Sequence, residues 1–159
     1  MKQKFFIILS LICLLISIFL HISTYIKDYS KLSPTPYTIL HIFGIFLGLG
    51  WFLTNKKSSI NRKIKKIHKK LFYIIFLIIF VYLLFVFYKS GLVQNDGVVA
   101  IIDGEKVINN HGTIVKELSN SEYIILQIWS LRLRSIFCIV WFFALLGLSI
   151  YYKANLGTG

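Results

Sequence analysis

Four stretches of this chain, 5–26, 37–54, 71–88 and 135–152, contain no charged residue. They are 22, 18, 18 and 18 residues long, and each is bounded by Lys, Arg or a Pro/Asn break. A helix needs roughly 17–25 residues to cross ~30 Å of hydrocarbon, so all four are long enough. A soluble domain would interrupt its apolar residues to give the core a polar cover, and here 57% of 159 residues are hydrophobic and come in unbroken blocks. The expected class is an all-α membrane protein: a four-transmembrane-helix bundle forming a single integral membrane domain over residues 1–159. The basic start "MKQK" resembles the opening of a signal peptide. However, "HISTYIKDYS" offers no small-x-small cleavage site, and "SLI" before Cys13 lacks the small residue of a lipoprotein signal, so an uncleaved first helix is expected.

Charge orients the bundle. The 55–70 segment "NKKSSINRKIKKIHKK" holds eight Lys/Arg and no acid, and Lys2, Lys4 and Lys153 fall on the same side. All six carboxylates, Asp28, Asp96, Asp103, Glu105, Glu117 and Glu122, fall on the other side, among seven basic residues. Short basic loops stay cytoplasmic. Both termini and the basic loop 55–70 are therefore expected inside, and 27–36 and the cap 89–134 outside, in a multi-pass protein of a bacterial inner (plasma) membrane. A net charge of +12 could suggest nucleic acid, but the basic loop has no interleaved aromatics and no folded module. Its partner is expected to be anionic lipid, at about 1 kcal/mol per surface Lys or Arg.

Within the spans, Ser10, Ser17, His21 and Thr24 share one face of the first helix with Cys13 and Leu14. That face should point into the bundle, where intramembrane polar groups find partners. In the second helix His41, Gly44, Gly48 and Trp51 form a stripe, and Gly44-x-x-x-Gly48 would admit a neighbouring backbone closely. The third block is apolar all round and should be the most lipid-exposed. Cys13 and Cys138 lie at different depths, so no disulfide is expected between them. Short loops favour sequence neighbours packing side by side.

The 89–134 segment is the one part that could fold in water. "VVAII", "KVI" and "TIV" read as short strands of a small extracytoplasmic β-rich cap of two to three strands between helices three and four. Asp103-Gly104 suits the first hairpin turn, and Asn109 to Gly112 the second. So small a sheet has almost no core and would need to lie on the bundle or the membrane. Ser119-x-x-Glu122 is a capping box, starting a helix near Asn120 that continues through the fourth span. The last residues, "ANLGTG", read as a disordered end.

For chemistry, the sequence has no Gly-x-Ser-x-Gly, phosphate loop, His-Glu-x-x-His or Cys-x-x-Cys. No Asp or Glu lies inside a span, which argues against a proton-coupled exporter. One constellation remains. His21 and His41 lie at matching depth near the outer ends of adjacent helices, with Arg132 and Arg134 near the same level and His111 in the cap above. These five are the candidate ligand-binding residues. His21 and His41 are the candidate metal ligands, and His111 the obvious third. Paired histidines in a membrane bundle can hold haem b, with Gly44 leaving room for the ring and the arginines meeting propionates. Close packing at Gly44 and Gly48 argues against so wide a gap, and the plainer reading is two interfacial histidines hydrogen-bonded to serines, tyrosines or water. The arginines, two residues apart, point in different directions and would pair with headgroup phosphates or with Glu122 and Glu117. His111 is expected to face water.

The leading expectation is a non-enzymatic protein of accessory, assembly, immunity or interaction type without a cofactor, meeting a membrane-protein partner or a second copy through its cap or Gly-lined face. The alternative is a redox or ligand-binding protein with haem, metal or a polar ligand at the His21/His41 site. A lipid-modifying enzyme using His111 and the arginines ranks third.

Overall fold

The fourth apolar block is where the other three meet. The computed structural model describes residues 2–26, 33–54, 58–60, 66–94 and 97–154. In chain order the elements are α1 (Lys2–Ile26), α2 (Thr35–Thr54), β1 (Ser58–Ile60), α3 (Lys66–Gln94), β2 (Val98–Ile102), β3 (Glu105–Asn110), β4 (Thr113–Glu117), α4 (Asn120–Tyr151) and β5 (Tyr152–Ala154). All four helices are long and apolar enough to cross a membrane.

Each helix follows from local chemistry. α1 has no Pro or Gly to break it. α2 begins at a Pro-containing turn, where Ser33 Oγ accepts the Thr35 amide at 3.3 Å and the Thr38 amide donates to Pro34 O at 3.2 Å. Pro36 sits in the first turn, where a missing N–H costs nothing. α4 starts at the expected capping box. The Glu122 amide donates to Ser119 Oγ at 3.3 Å, and the Ser119 amide to Glu122 Oε2 at 2.9 Å, so two end amides are satisfied reciprocally.

α4 packs against α1, α3 and α2, while α1 and α2 share a smaller contact. The expectation that sequence neighbours pack side by side therefore gives way to a hub arrangement. α4 has 32 residues, about 48 Å at 1.5 Å per residue, long enough to present a separate face to each partner. Phe142 on α4 is fully buried at the centre of a core that includes Leu14, Leu40, Leu83, Ile139 and Leu145. α3 is the least covered helix, with 11% of its span buried against 44% for α4. Between Leu71 and Tyr88 it has no small or charged residue, which gives that stretch little to dock.

The expected glycine contact takes another form. Among the described residues the atoms nearest the notch at Gly44 and Gly48 are side-chain atoms and not backbone, and the Trp141 indole lies across it. A Cβ at Gly44 would stand 3.0 Å from Trp141 Cδ1, and one at Gly48 2.7 Å from Cζ2. Trp141 Nε1 also donates to Gly44 O at 2.8 Å, which satisfies the indole's donor inside an apolar layer. Phe72 of α3 rests on Gly147 of α4 in the same manner and stacks on Phe143 at 4.6 Å.

The cap is a three-stranded antiparallel meander, β2-β3-β4. Its turns place Asp103 (φ 51) with Gly104 and His111 (φ 50) with Gly112 in the left-handed region, as two-residue hairpins of the primed kind require. Asn109 Oδ1 receives the Gly112 amide at 2.9 Å and closes the second turn. Val107 and Ile108 are both buried, and consecutive strand residues face opposite ways, so the central strand is covered on both faces. The sheet lies on the bundle through β2 and α4. The Leu118 amide donates to Lys106 O at 2.7 Å, Lys106 Nζ donates to Asn120 Oδ1, and the ammonium stands 5.1 Å over the Tyr123 ring.

A second, two-stranded sheet pairs β1 with β5, Ser59 opposite Lys153. It ties the basic loop to the end of α4, where the sequence suggested only a disordered tail. Residues 155–159 of that tail lie outside the described residues.

Candidate functional site

Ser10, Cys13, Ser17, His21 and Thr24 are all buried, as the stripe on α1 requires. Two of the hydroxyls close on their own helix: Ser17 donates to Cys13 O and Thr24 to His21 O, both at 2.7 Å. An imidazole has two ring nitrogens to satisfy and must look outward. His21 Nδ1 lies 2.7 Å from Ser135 Oγ on α4, and its Nε2 lies 3.0 Å from Tyr82 Oη on α3. Tyr82 Oη in turn is 2.6 Å from Tyr25 Oη on α1.

The surrounding acceptors set the direction of this chain. Ser135 spends its proton on the carbonyls of Leu131 and Arg132, each at 2.9 Å, so His21 Nδ1–H must be the donor to Ser135. A neutral imidazole then accepts at Nε2, where Tyr82 O–H donates, and Tyr25 O–H donates to Tyr82. The order runs Tyr25, Tyr82, His21, Ser135, backbone carbonyl, and joins three helices.

Arg132 stands at the Tyr25 end. Its guanidinium carbon is 3.9 Å from the Tyr25 ring centroid and 4.9 Å from that of Trp129, so the cation has two aromatic neighbours. Nη2 makes a long contact to Thr24 O at 3.4 Å, and the buried Nε has no partner among the described residues. Arg134 is exposed, consistent with two residues of helical rotation. The pairing of the arginines with Glu122 does not occur, because Glu122 is taken by Lys116 at 2.5 Å, which is reached across the β4–α4 corner. That ammonium and the Ser119 amide and hydroxyl hold the Glu122 carboxyl down at about 2. Glu122 stands about four turns of helix before the charge-free part of α4.

His41 has partners of its own. Its Nδ1 is 2.8 Å from Tyr37 O, which makes Nδ1 the donor and leaves the lone pair at Nε2. Cys138 Sγ lies 3.4 Å from Nδ1 and 3.9 Å from Nε2. Beside this pair is a cavity of about 340 Å³, bounded by Leu40, Ile45, Phe137 and Trp141. Tyr37 Oη donates to Leu20 O at 3.1 Å and fastens α2 to α1.

His21 and His41 therefore engage α4 one turn apart, at Ser135 and Cys138, and no hydrogen bond joins them. Both ring nitrogens of His21 are occupied, so in this arrangement that ring has no lone pair to offer iron. Among the described residues no group of three or more His, Cys, Asp or Glu side chains is placed to hold a metal. His111 is exposed in its turn, and Cys13 and Cys138 are free thiols. Gly44 and Gly48 serve Trp141.

Tyr25, Tyr82, Ser135, Tyr37, Cys138 and Trp141 are the participants that sequence reading missed. One signal was available: Tyr82 lies mid-block with a hydroxyl that needs a partner in an apolar layer. Its partner is 61 residues away in the chain, beyond the reach of any local pattern. Compared with protein-family models, with curated proteins and with solved structures, the chain matches none.

Proposed function

We propose that this chain is a small multi-pass protein of a bacterial inner membrane, with both termini and the 55–70 loop cytoplasmic and the β-meander outside. We propose further that it acts as an accessory, assembly, immunity or interaction protein and not as an enzyme. One observation carries this reading: the meander is mounted on the same helix that forms the hub of the bundle. The hydrogen bonds from Lys106 and Leu118 and the Ser119–Glu122 cap fix it there. A partner that engages the cap thus gains a mechanical connection to all four helices. β4 is exposed along its whole length and, among the described residues, is an edge strand of its sheet, to which an extended segment can add.

Cysteine labelling in a background without Cys13 and Cys138 tests the placement. Position 109 should react with an impermeant maleimide on intact cells and position 58 should not; the reverse would overturn the orientation. A photo-crosslinker at Val115 tests the partner. A discrete adduct from position 115, and none from Ile78 on the exposed face of α3, is the expected result.

A second reading, a ligand-binding or redox protein, is favoured by the cavity next to His41 and Cys138. Haem b at that site would require His21 to release Tyr82 and Ser135. An optical spectrum and metal analysis of protein purified from haem-replete cells tests it: a Soret band lost in His41→Ala would support it, and a colourless, metal-free protein would sink it.

A further inference from the structure

Arg132 carries a charge that the described part of the molecule does not neutralise. Among the described residues the ion pair is Lys116 with Glu122, and no carboxylate is paired with Arg132. Among the described residues its buried Nε has no partner, and its hydrogen bond is the 3.4 Å contact to a carbonyl. A guanidinium offers five donors in a planar fork, and leaving them unmatched in a partly desolvated setting is costly. The Tyr25 and Trp129 rings stand against the guanidinium, and its N–H groups all lie along the edge of the fork, where an incoming group meets them. An oxyanion fits that edge with two parallel hydrogen bonds.

The surroundings indicate where the anion comes from. Arg132 lies three residues before the charge-free part of α4, about 5 Å along the axis, and Tyr25 is next to last in α1. Lys89, 6.0 Å over the Phe85 ring, brings a second cation at the corresponding end of α3. Tyr, Trp, Lys and Arg at one level are the residues that meet lipid headgroups. Below them Ile22, Phe85 and Tyr88 are about half exposed or more, and each offers apolar surface to acyl chains.

We infer that Arg132, flanked by Tyr25 and Trp129, binds the phosphate of an anionic phospholipid. The inference rests on the membrane placement proposed above, and the two are separated in one experiment. Protein reconstituted into vesicles is first floated through a density gradient after carbonate washing; failure to float overturns the membrane placement and the lipid site with it.

Protein that floats is then examined in mild detergent by native mass spectrometry, with phosphatidylglycerol, phosphatidylcholine, oleate and inorganic phosphate as probes. The wild type should retain phosphatidylglycerol in preference to phosphatidylcholine. Arg132→Gln should lower that retention about tenfold, and Arg134→Gln should leave it unchanged. Should Arg132→Gln fail to fold, Arg132→Lys keeps the charge but loses the fork, and should show a several-fold loss. Equal retention by wild type and the Arg132 variants overturns the proposal, as does equal loss in the Arg132 and Arg134 variants. Displacement by inorganic phosphate or by oleate would identify a site for free anions or for fatty acid instead. Phosphatidylglycerol binding seen only in Asp28→Asn would assign the guanidinium to a carboxylate of the chain itself.

Discussion

The Tyr82 hydroxyl lies 3.0 Å from His21 Nε2, and because His21 Nδ1 is committed to Ser135, Tyr82 must be the donor. Phenylalanine at 82 would leave an imidazole lone pair and the Tyr25 proton without partners in an apolar layer. Tyr82→Phe should therefore destabilise the bundle by about 1 kcal/mol. Tyr25→Phe, which removes only the terminal donor at an exposed residue, should cost about half that or less. Unfolding by titration with a denaturing detergent measures both, and equal costs would refute the assigned direction of the relay.

Trp141 and the glycines of α2 make a second test. A methyl group at Gly48 would enter the space of Trp141 Cζ2, and overpacking of this kind costs about 1–3 kcal/mol. Gly50, where an added Cβ would meet Phe6 at an ordinary 3.8 Å, is the internal comparison. Gly48→Ala should lower the thermal midpoint and change the Trp141 fluorescence, whereas Gly50→Ala should do neither.

The Glu122 carboxyl, held at about 2 by Lys116 and Ser119, gives the start of α4 a pH dependence. A carboxylate depressed in the folded state stabilises it at pH values above its unfolded value, about 4.3. That contribution disappears as pH falls from there toward 2. The Ser119 and Glu122 amides should thus become easier to exchange over that acid range and be insensitive to pH above it. Glu122→Gln should abolish the dependence, and Lys116→Ala should move the Glu122 titration upward. A wild-type Glu122 that titrates at the ordinary value would show that the corner does not close.

His111 occupies a left-handed backbone position (φ 50), which Asn tolerates and a β-branched residue does not. His111→Asn should preserve the cap, while His111→Val should cost the second hairpin about 1–2 kcal/mol. Amide exchange at Val107 and Ile108 reports the difference. Loss of protection in His111→Asn as well would mean that the imidazole itself, and not its backbone, holds the turn.

Much of this fold could be read along the chain. The four helices, the capping box at Ser119, the Asp103–Gly104 turn and the polar stripe on α1 all depend on residues within one or two turns of each other. Local patterns are enough for such features. The hub role of α4 was not legible, because apolar periodicity says that a face is buried and not which helix buries it. For Gly44 and Gly48 the motif announced a notch without saying what would enter it. His21 and His41 stood out as polar residues within apolar blocks, yet their partners, Tyr82, Ser135, Tyr37 and Cys138, were visible only as scattered polar or sulfur-bearing positions.

The sequence by itself determined the four apolar spans and the asymmetry of charge about them, since both follow from length, hydropathy and the positions of Lys, Arg, Asp and Glu. It also determined that His21 would turn inward and Ser119 would cap a helix. Only the tertiary structure decided that His21 would bridge three helices, that Trp141 would lie across the glycines, and that Arg132 would rest against two aromatic rings without a carboxylate among the described residues. These relationships join residues up to 114 positions apart, and they depend on how helices rotate about their axes to satisfy buried donors and fill space.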